Sequence, residues 1–223
     1  MKKTLFCTVT LIFALAPGSK SFASTDFLGE ARSAYTPNQK ESSIEVTENG
    51  TIRKCLISGK VEQAKLSTDN SVVIISGNTY IPTSKLKNCG ANPIAPRKTP
   101  SKSGFLVDIN LSRKIYIALF PVTTQPMMFL ATVSSLGSSK SIVTLPGAYV
   151  PGSSIEQQRQ SAFAYSEEGG PQARISRSGR YVSVNGVIEC SENSYPGIWD
   201  IRRNKKVVIS DDPSYLKCMS LFE

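Results

Sequence analysis

Histidine is missing from all 223 residues of this chain, and that absence narrows its chemistry more than anything it contains. Histidine is the usual general base and the commonest metal ligand, because its pKa lies near neutrality. Without it, Ser-His-Asp and Cys-His nucleophilic sites are excluded, as is any zinc centre that uses imidazole. Catalysis by the chain's own groups would have to rest on carboxylates, lysine or tyrosine. Tryptophan is nearly absent too. Trp199 stands alone, and between Ile198 and Ile201 it is expected as a core residue, since large aromatics dominate cores. Long hydrophobic runs are also lacking. A membrane-spanning helix needs about 20 apolar residues; residues 5–16 fall short of that, and residues 115–120 are closed by Pro121.

The short N-terminal run has its own meaning. Lys2 and Lys3 precede it, Pro17-Gly18 ends it, and Ser21 and Ala23 place small residues three and one before a break. That is the layout of a secretory signal, expected over residues 1–23 with cleavage after Ala23. Cys7 lies inside the apolar segment instead of after it, so it leaves with the signal and is not a lipid attachment point. The compact Lys-Lys start is bacterial in style, and the expected destination is the periplasm or the medium. Cleavage removes Lys2, Lys3 and Lys20, leaving 23 basic residues against 17 acidic ones, a net charge of +6. The basic groups are scattered, at Arg53-Lys54, Lys85 and Lys87, Arg97-Lys98, Arg113-Lys114 and residues 202–206. A nucleic-acid binder gathers its charge on one stripe and adds stacking aromatics. A solvated surface is expected instead, with no nucleic-acid partner.

Four cysteines remain: Cys55, Cys89, Cys190 and Cys218. An even count in an exported chain predicts disulfides. Of the three pairings, Cys55–Cys89 and Cys190–Cys218 are favoured, because each closes a local loop within one half of the chain. A four-thiolate metal site would bring its ligands in C-x2–4-C pairs and a redox site would use C-x-x-C. Neither spacing occurs, and no metal or cofactor is expected.

Catalytic motifs are equally sparse. There is no G-x-S-x-G elbow, P-loop, dinucleotide glycine fingerprint or EF-hand loop. Ser84 with Lys87 and Ser214 with Lys217 match S-x-x-K, but a K-T-G partner is missing. Glu167-Glu168 and Asp211-Asp212 sit in turn-like contexts, and adjacent strand residues point to opposite faces, so neither pair can span a glycosidase cleft alone. Asp108, Glu189 and Asp200, at strand positions or strand ends, are the acids that a carboxylate-only enzyme would need to bring together.

The texture of the chain is β. A polar lead-in occupies residues 24–43. Strand-like segments follow over 44–57, joined through Asn49-Gly50, the strongest short hairpin signal. A second hairpin is predicted from residues 71–75 and 79–81. Residues 91–104 hold three prolines, three basic residues and few apolar ones, and read as a linker between a 44–90 subdomain and a 105–223 domain. Strands are expected over 105–109, 114–120, 127–134, 141–145, 175–184, 186–190, 197–201 and 206–209. One helix is expected over 154–165, with Ser154 and Gln157 placed as a capping box and Ile155, Ala162 and Phe163 as its apolar face. The expected fold is all-β: antiparallel meanders and hairpins in a sandwich or propeller-like stack, with one short helix and two disulfides.

One stretch resembles a known architecture. Ile175-Ser-Arg-Ser-Gly-Arg-Tyr-Val-Ser-Val-Asn-Gly, then Gly197-Ile-Trp-Asp-Ile-Arg-Arg-Asn-Lys-Lys-Val, is similar to one blade of a WD- or quinoprotein-type β-propeller. It covers about 35 of the 223 residues. No Gly-His element precedes it and Cys190 interrupts its spacing. The resemblance implies antiparallel meanders and, since fold does not fix function, nothing about activity.

These features lead to one functional expectation: an exported β-rich binding protein that inhibits or neutralises another protein, as an immunity protein or hydrolase inhibitor does. The basic cluster Arg202, Arg203, Lys205 and Lys206 is the candidate contact with that partner. The alternatives are a structural component of an envelope or transfer assembly, and a carboxylate-dependent cell-wall hydrolase. Nothing in the sequence sets the oligomeric state.

Overall fold

The fold is given by a computed structural model, which describes residues 33–34, 41–48, 51–61, 64–75, 78–100, 104–150, 152–163, 173–184, 190–193, 196–209 and 214–223. The signal region 1–23 lies outside them. Among the described residues the strands form four antiparallel sheets, each built from consecutive segments. The first holds β1 (Ser33–Ala34), β2 (Glu41–Glu48) and β3 (Thr51–Ser58). The second holds β4 (Ala64–Leu66), β5 (Val72–Ile75), β6 (Thr79–Pro82) and β7 (Arg97–Lys98), with the short helix α1 (Thr83–Leu86) between β6 and β7. The third is a meander of β8 (Phe105–Asn110), β9 (Ile115–Pro121), β10 (Met128–Ser135) and β11 (Ser141–Tyr149). After α2 (Ile155–Phe163), the fourth comprises β12 (Ala173–Ile175), β13 (Tyr181–Val184), β14 (Ile198–Asp200) and β15 (Lys205–Lys206), and α3 (Ser214–Ser220) follows.

The sheets stack in chain order, and the period of two along each strand explains how. Val73 and Ile75 of β5 join Ile44, Cys55 and Ile57 in a core between the first and second sheets. Their neighbours Val72 and Ile74 join Leu106, Ile109, Tyr116 and Ala118 between the second and third. Val107, Ile117, Leu119 and Phe129 then meet Ile175, Val182 and Val184 between the third and fourth. Successive side chains on a strand leave opposite faces. A strand buried on both faces therefore reads as an unbroken apolar run, as Val72–Ile75 does.

Several expectations hold in detail. The β2–β3 register pairs Glu48 with Thr51, a two-residue connection at positions 49–50. Both favoured disulfides are formed, with Cα–Cα separations of 5.5 Å for Cys55–Cys89 and 6.0 Å for Cys190–Cys218. Ser154 Oγ accepts the amide of Gln157 at 3.3 Å, while Gln157 Oε1 takes the return bond from Ser153 N at 2.9 Å, one residue earlier than a capping box would have it.

Others need correcting. Within the 91–104 segment, Arg97 and Lys98 pair with Tyr80 and Thr79, and Ile94 bridges to Ile57 through two backbone bonds. Backbone pairing at a sheet edge needs no apolar side chains, so polarity concealed it. The lead-in 24–43 already contains β1 and the start of β2. Residues 175–184 form two strands and not one, because residues 176–180 turn, with Gly179 at φ +67°. On α2, Ala162 is buried, but Ile155 is 59% exposed and does not belong to the apolar face. Trp199 is half-buried, packed against the core between the third and fourth sheets. No helix among the described residues is long and apolar enough to cross a membrane.

Candidate functional site

Two of the three candidate acids are buried, and each is filled by its own neighbours. Asp108 sits on β8 just past a bulge, where the pairing to β9 skips a residue between Leu106 and Asp108; such bulges re-aim a side chain. Its Oδ1 accepts the amides of Thr68 at 3.0 Å and Ile109 at 2.9 Å. Its Oδ2 accepts the Thr68 hydroxyl and the Ile175 amide, both at 2.7 Å. A carboxylate offers about four lone-pair directions, and all are taken. Asp108 thus ties the β4–β5 turn, β8 and β12 together across three sheets. Burial pushes its carboxyl up to about 6, against the Ile175 and Thr68 bonds and the charge of Lys65. Burial likewise pushes Lys65 down to about 8, with Asp108 opposing.

Both groups are therefore charged near neutrality, and the pH dependence has a defined sign. The folded chain holds the Asp108 proton more tightly than an ordinary carboxyl at 3.8, so stability falls as pH rises towards about 6. It holds the Lys65 proton less tightly than an ordinary lysine at 10.5, so stability rises again as pH climbs from about 8. The pair contributes least between those values. In urea titrations, wild type should gain roughly 1–3 kcal/mol between about pH 8 and 10 relative to Lys65→Met. An identical pH profile in the two proteins would show that Lys65 does not titrate in this range.

Asp200, at the end of β14, is 2% exposed. Its Oδ2 accepts Arg180 Nε at 2.9 Å and Nη2 at 2.7 Å. Its Oδ1 accepts the amides of Arg202 at 3.0 Å and Arg203 at 3.2 Å, folding residues 201–204 into an Asx-type turn. The Arg180 bonds hold this carboxyl below its ordinary pKa, and Asp200 raises that of Arg180. Among the described residues, Asp108 and Asp200 share no hydrogen-bond partner. Glu189 lies outside the described residues. Among those residues, no three His, Cys, Asp or Glu side chains gather as a metal centre.

The basic cluster stands where the sequence puts it, on the β14–β15 turn. Arg202, Arg203 and Lys205 are exposed, and Arg203 is only loosely paired with Asp200, at 3.9 Å. Lys206 is half-buried and donates to the Glu192 carbonyl at 2.6 Å. Asn204, at φ +50°, closes the turn and accepts Trp199 Nε1 at 3.3 Å. An Asn suits this left-handed position.

The surroundings were not legible in the sequence. Antiparallel pairing brings the 176–180 turn to the same end of the fourth sheet, where Ile201 N donates to Arg180 O at 2.9 Å. Asn110, fully buried at the end of β8, donates through Nδ2 to the carbonyls of Ser176 and Arg177, both at 3.0 Å. Its Oδ1 accepts Ser112 Oγ at 2.8 Å and Arg113 N at 3.0 Å. Arg113 Nε then donates to Ser178 O at 3.0 Å. Three turns from two sheets thus meet in one rim, carrying exposed Arg113, Lys114, Arg177, Arg202, Arg203 and Lys205 around half-exposed Arg180. The scattered Arg113-Lys114 and 202–206 groups are one surface. Its described acidic neighbours with any exposure are few: Asp69, whose Oδ1 is held by Ser67 and Ser71, Glu192, whose carbonyl accepts Lys206 Nζ, and Glu223.

Gly179 makes the close approach possible. A Cβ there would stand 2.9 Å from Arg113 Cβ and closer still to its Cγ. Gly179→Ala should cost about 1–2 kcal/mol from the positive φ and the clash. That lowers Tm by about 2–8 °C in a chain of this size. An unchanged Tm would mean that the two turns are not in contact.

No protein-family model matches the chain, and no curated protein matches it significantly.

Proposed function

We propose that this chain is an exported, disulfide-braced binding protein that inhibits or neutralises another protein, with the rim of basic turns as its contact surface. The carrying observation is the rim itself: exposed cations from three turns, held in place by buried Asp108, Asn110 and Asp200. Buried polar side chains with every bond satisfied make a rigid platform, and rigid presentation lowers the ordering cost of association. The N-terminal signal and the two disulfides support a periplasmic or secreted location. The blade-like resemblance belongs to the same proposal, supported by the four-stranded meander β12–β15 stacked face to face on its chain neighbour. The hydrolase alternative is weakened by the saturation of Asp108 and Asp200, since neither carboxyl has an oxygen left for a substrate.

The test uses the oxidised full chain exported from a bacterial host. Fractionation and N-terminal sequencing should place a mature form, beginning at Ser24, outside the cytoplasm. Titrating it against periplasmic or culture proteins should give a 1:1 complex in size-exclusion chromatography and abolish the partner's activity. Intrinsic glycan hydrolysis by the pure protein, or migration only within a large envelope assembly, would overturn the proposal.

A further inference from the structure

We infer that the partner face met by this rim is an acidic protein surface, one with clustered Asp and Glu carboxylates and not a phosphate polymer or an anionic membrane; the inference rests on the binding role proposed above. Three observations separate these. First, most of the backbone amides on the rim's turns are already engaged. Those of Arg113, Arg177, Gly179, Arg180, Arg202 and Arg203 are engaged by Asn110, Phe222, Ser176 or Asp200. A phosphate site commonly uses a nest of free backbone N–H groups, and none is left at these positions.

Second, among the described residues the rim has no exposed aromatic ring on which bases could stack, as single-strand binding requires. Trp199 is half-buried with its Nε1 engaged by Asn204, and the half-buried Tyr181 ring lies beneath the Arg180 guanidinium, 5.1 Å from its centroid. Third, membrane insertion calls for large apolar side chains on the docking face. Among the described residues the exposed ones are Ile52, Leu130, Ile142, Tyr149, Ile155, Val208 and Leu216, and none lies on these turns.

What remains is a set of long cationic arms anchored at fixed points. Guanidinium forks match carboxylates and phosphates alike, but arms on three separate turns suit carboxylates spread over a second folded surface. Arg180 gripping Asp200 through Nε and Nη2 is the same pairing made internally. Such a surface steers association by long-range attraction and weakens steeply with salt.

The experiment compares the oxidised wild type with Lys114→Glu/Arg177→Glu, with Arg202→Glu/Arg203→Glu, and with Arg97→Glu/Lys98→Glu as an equally charged control on β7. Unfolding midpoints confirm that each is folded. The probes are fluorescein-labelled poly-L-glutamate, polyphosphate, single-stranded DNA and vesicles containing phosphatidylglycerol, read by anisotropy or co-sedimentation. Wild type should prefer poly-L-glutamate, binding on the order of tenfold more weakly when salt rises from about 50 to 300 mM. Each rim pair should weaken that binding about tenfold and both together about 100-fold, with the control unchanged. Equal binding by the rim variants, or preference for phosphate polymer or vesicles, overturns the inference. If a 1:1 protein complex forms but survives both rim variants, the inference fails while the binding role stands; if no complex forms at all, the role fails whatever poly-L-glutamate does.

Discussion

Replacing Asp108 with alanine is expected to cost about 5 kcal/mol or more, enough to depopulate the folded state of a domain whose whole stability is about 5–15 kcal/mol. The substitution removes the acceptor for the amides of Thr68, Ile109 and Ile175 and for the Thr68 hydroxyl. Each buried donor left without a partner costs roughly 1–3 kcal/mol. It also leaves Lys65, 7% exposed, without its opposing charge. Asp108→Asn should be milder but still destabilising, since its NH2 group would face donors instead of accepting from them. Adding Lys65→Met to Asp108→Asn should recover part of the loss, because it removes the buried cation whose charge Asp108 opposes. Urea midpoints of the three variants check this. An unchanged midpoint in Asp108→Ala would show that the carboxylate is not a structural tie, and would reopen it as a chemical group.

Removing the Cys190–Cys218 disulfide is expected to cost about 3–4 kcal/mol. The two half-cystines are 28 residues apart, and restricting a loop of that length in the unfolded chain is worth about that much in the chain-entropy account. Both half-cystines are 1% exposed, in a small cluster with Ile198 and Phe222 that holds α3 against the fourth sheet. Cys190→Ala/Cys218→Ala should therefore loosen α3 first. Arg177 N donates to Phe222 O at 3.4 Å, and the Arg174 guanidinium lies 5.2 Å from the Phe222 ring centroid, so both contacts should go with it. Hydrogen exchange should show early loss of protection over residues 214–223, and denaturant titration should give the fall in stability. Retained protection with wild-type stability would mean that apolar packing alone holds the helix.

Much of the architecture is visible in the residues themselves. Val72–Ile75, Ile115–Pro121 and Met128–Ser135 are rich in β-branched and apolar residues, Asn49-Gly50 marks a hairpin, and local loop closure singles out the disulfide pairing. The misses share a cause. Arg97–Lys98 and Ala64–Leu66 become strands through backbone pairing supplied by neighbours, and two or three residues carry no period to detect. The α3 helix is too short for a periodic signal and is held by its cysteine. The candidate site divides in the same way. Arg202, Arg203 and Lys205 form a local cluster, whereas Arg113 and Arg177 join them only because Asn110 reaches carbonyls 66 and 67 positions away. A buried side-chain amide bridging two turns leaves no mark in a linear pattern.

The stacking of the four sheets in chain order has a consequence for how such a molecule can change over time. Each face between two sheets packs on the sheet before or after it, so most cohesion passes along the chain from neighbour to neighbour, as in repeat proteins. The first sheet has one face in this stack and an inner one has two, while the fourth packs on the third by one face and on α3 by the other. Duplication, loss or drift is therefore easier to accommodate at the first sheet than at the second or third. The rim draws on the third and fourth sheets and touches neither β1, β2 nor β3. The end of the chain most open to remodelling is the one farthest in sequence from the surface proposed to bind.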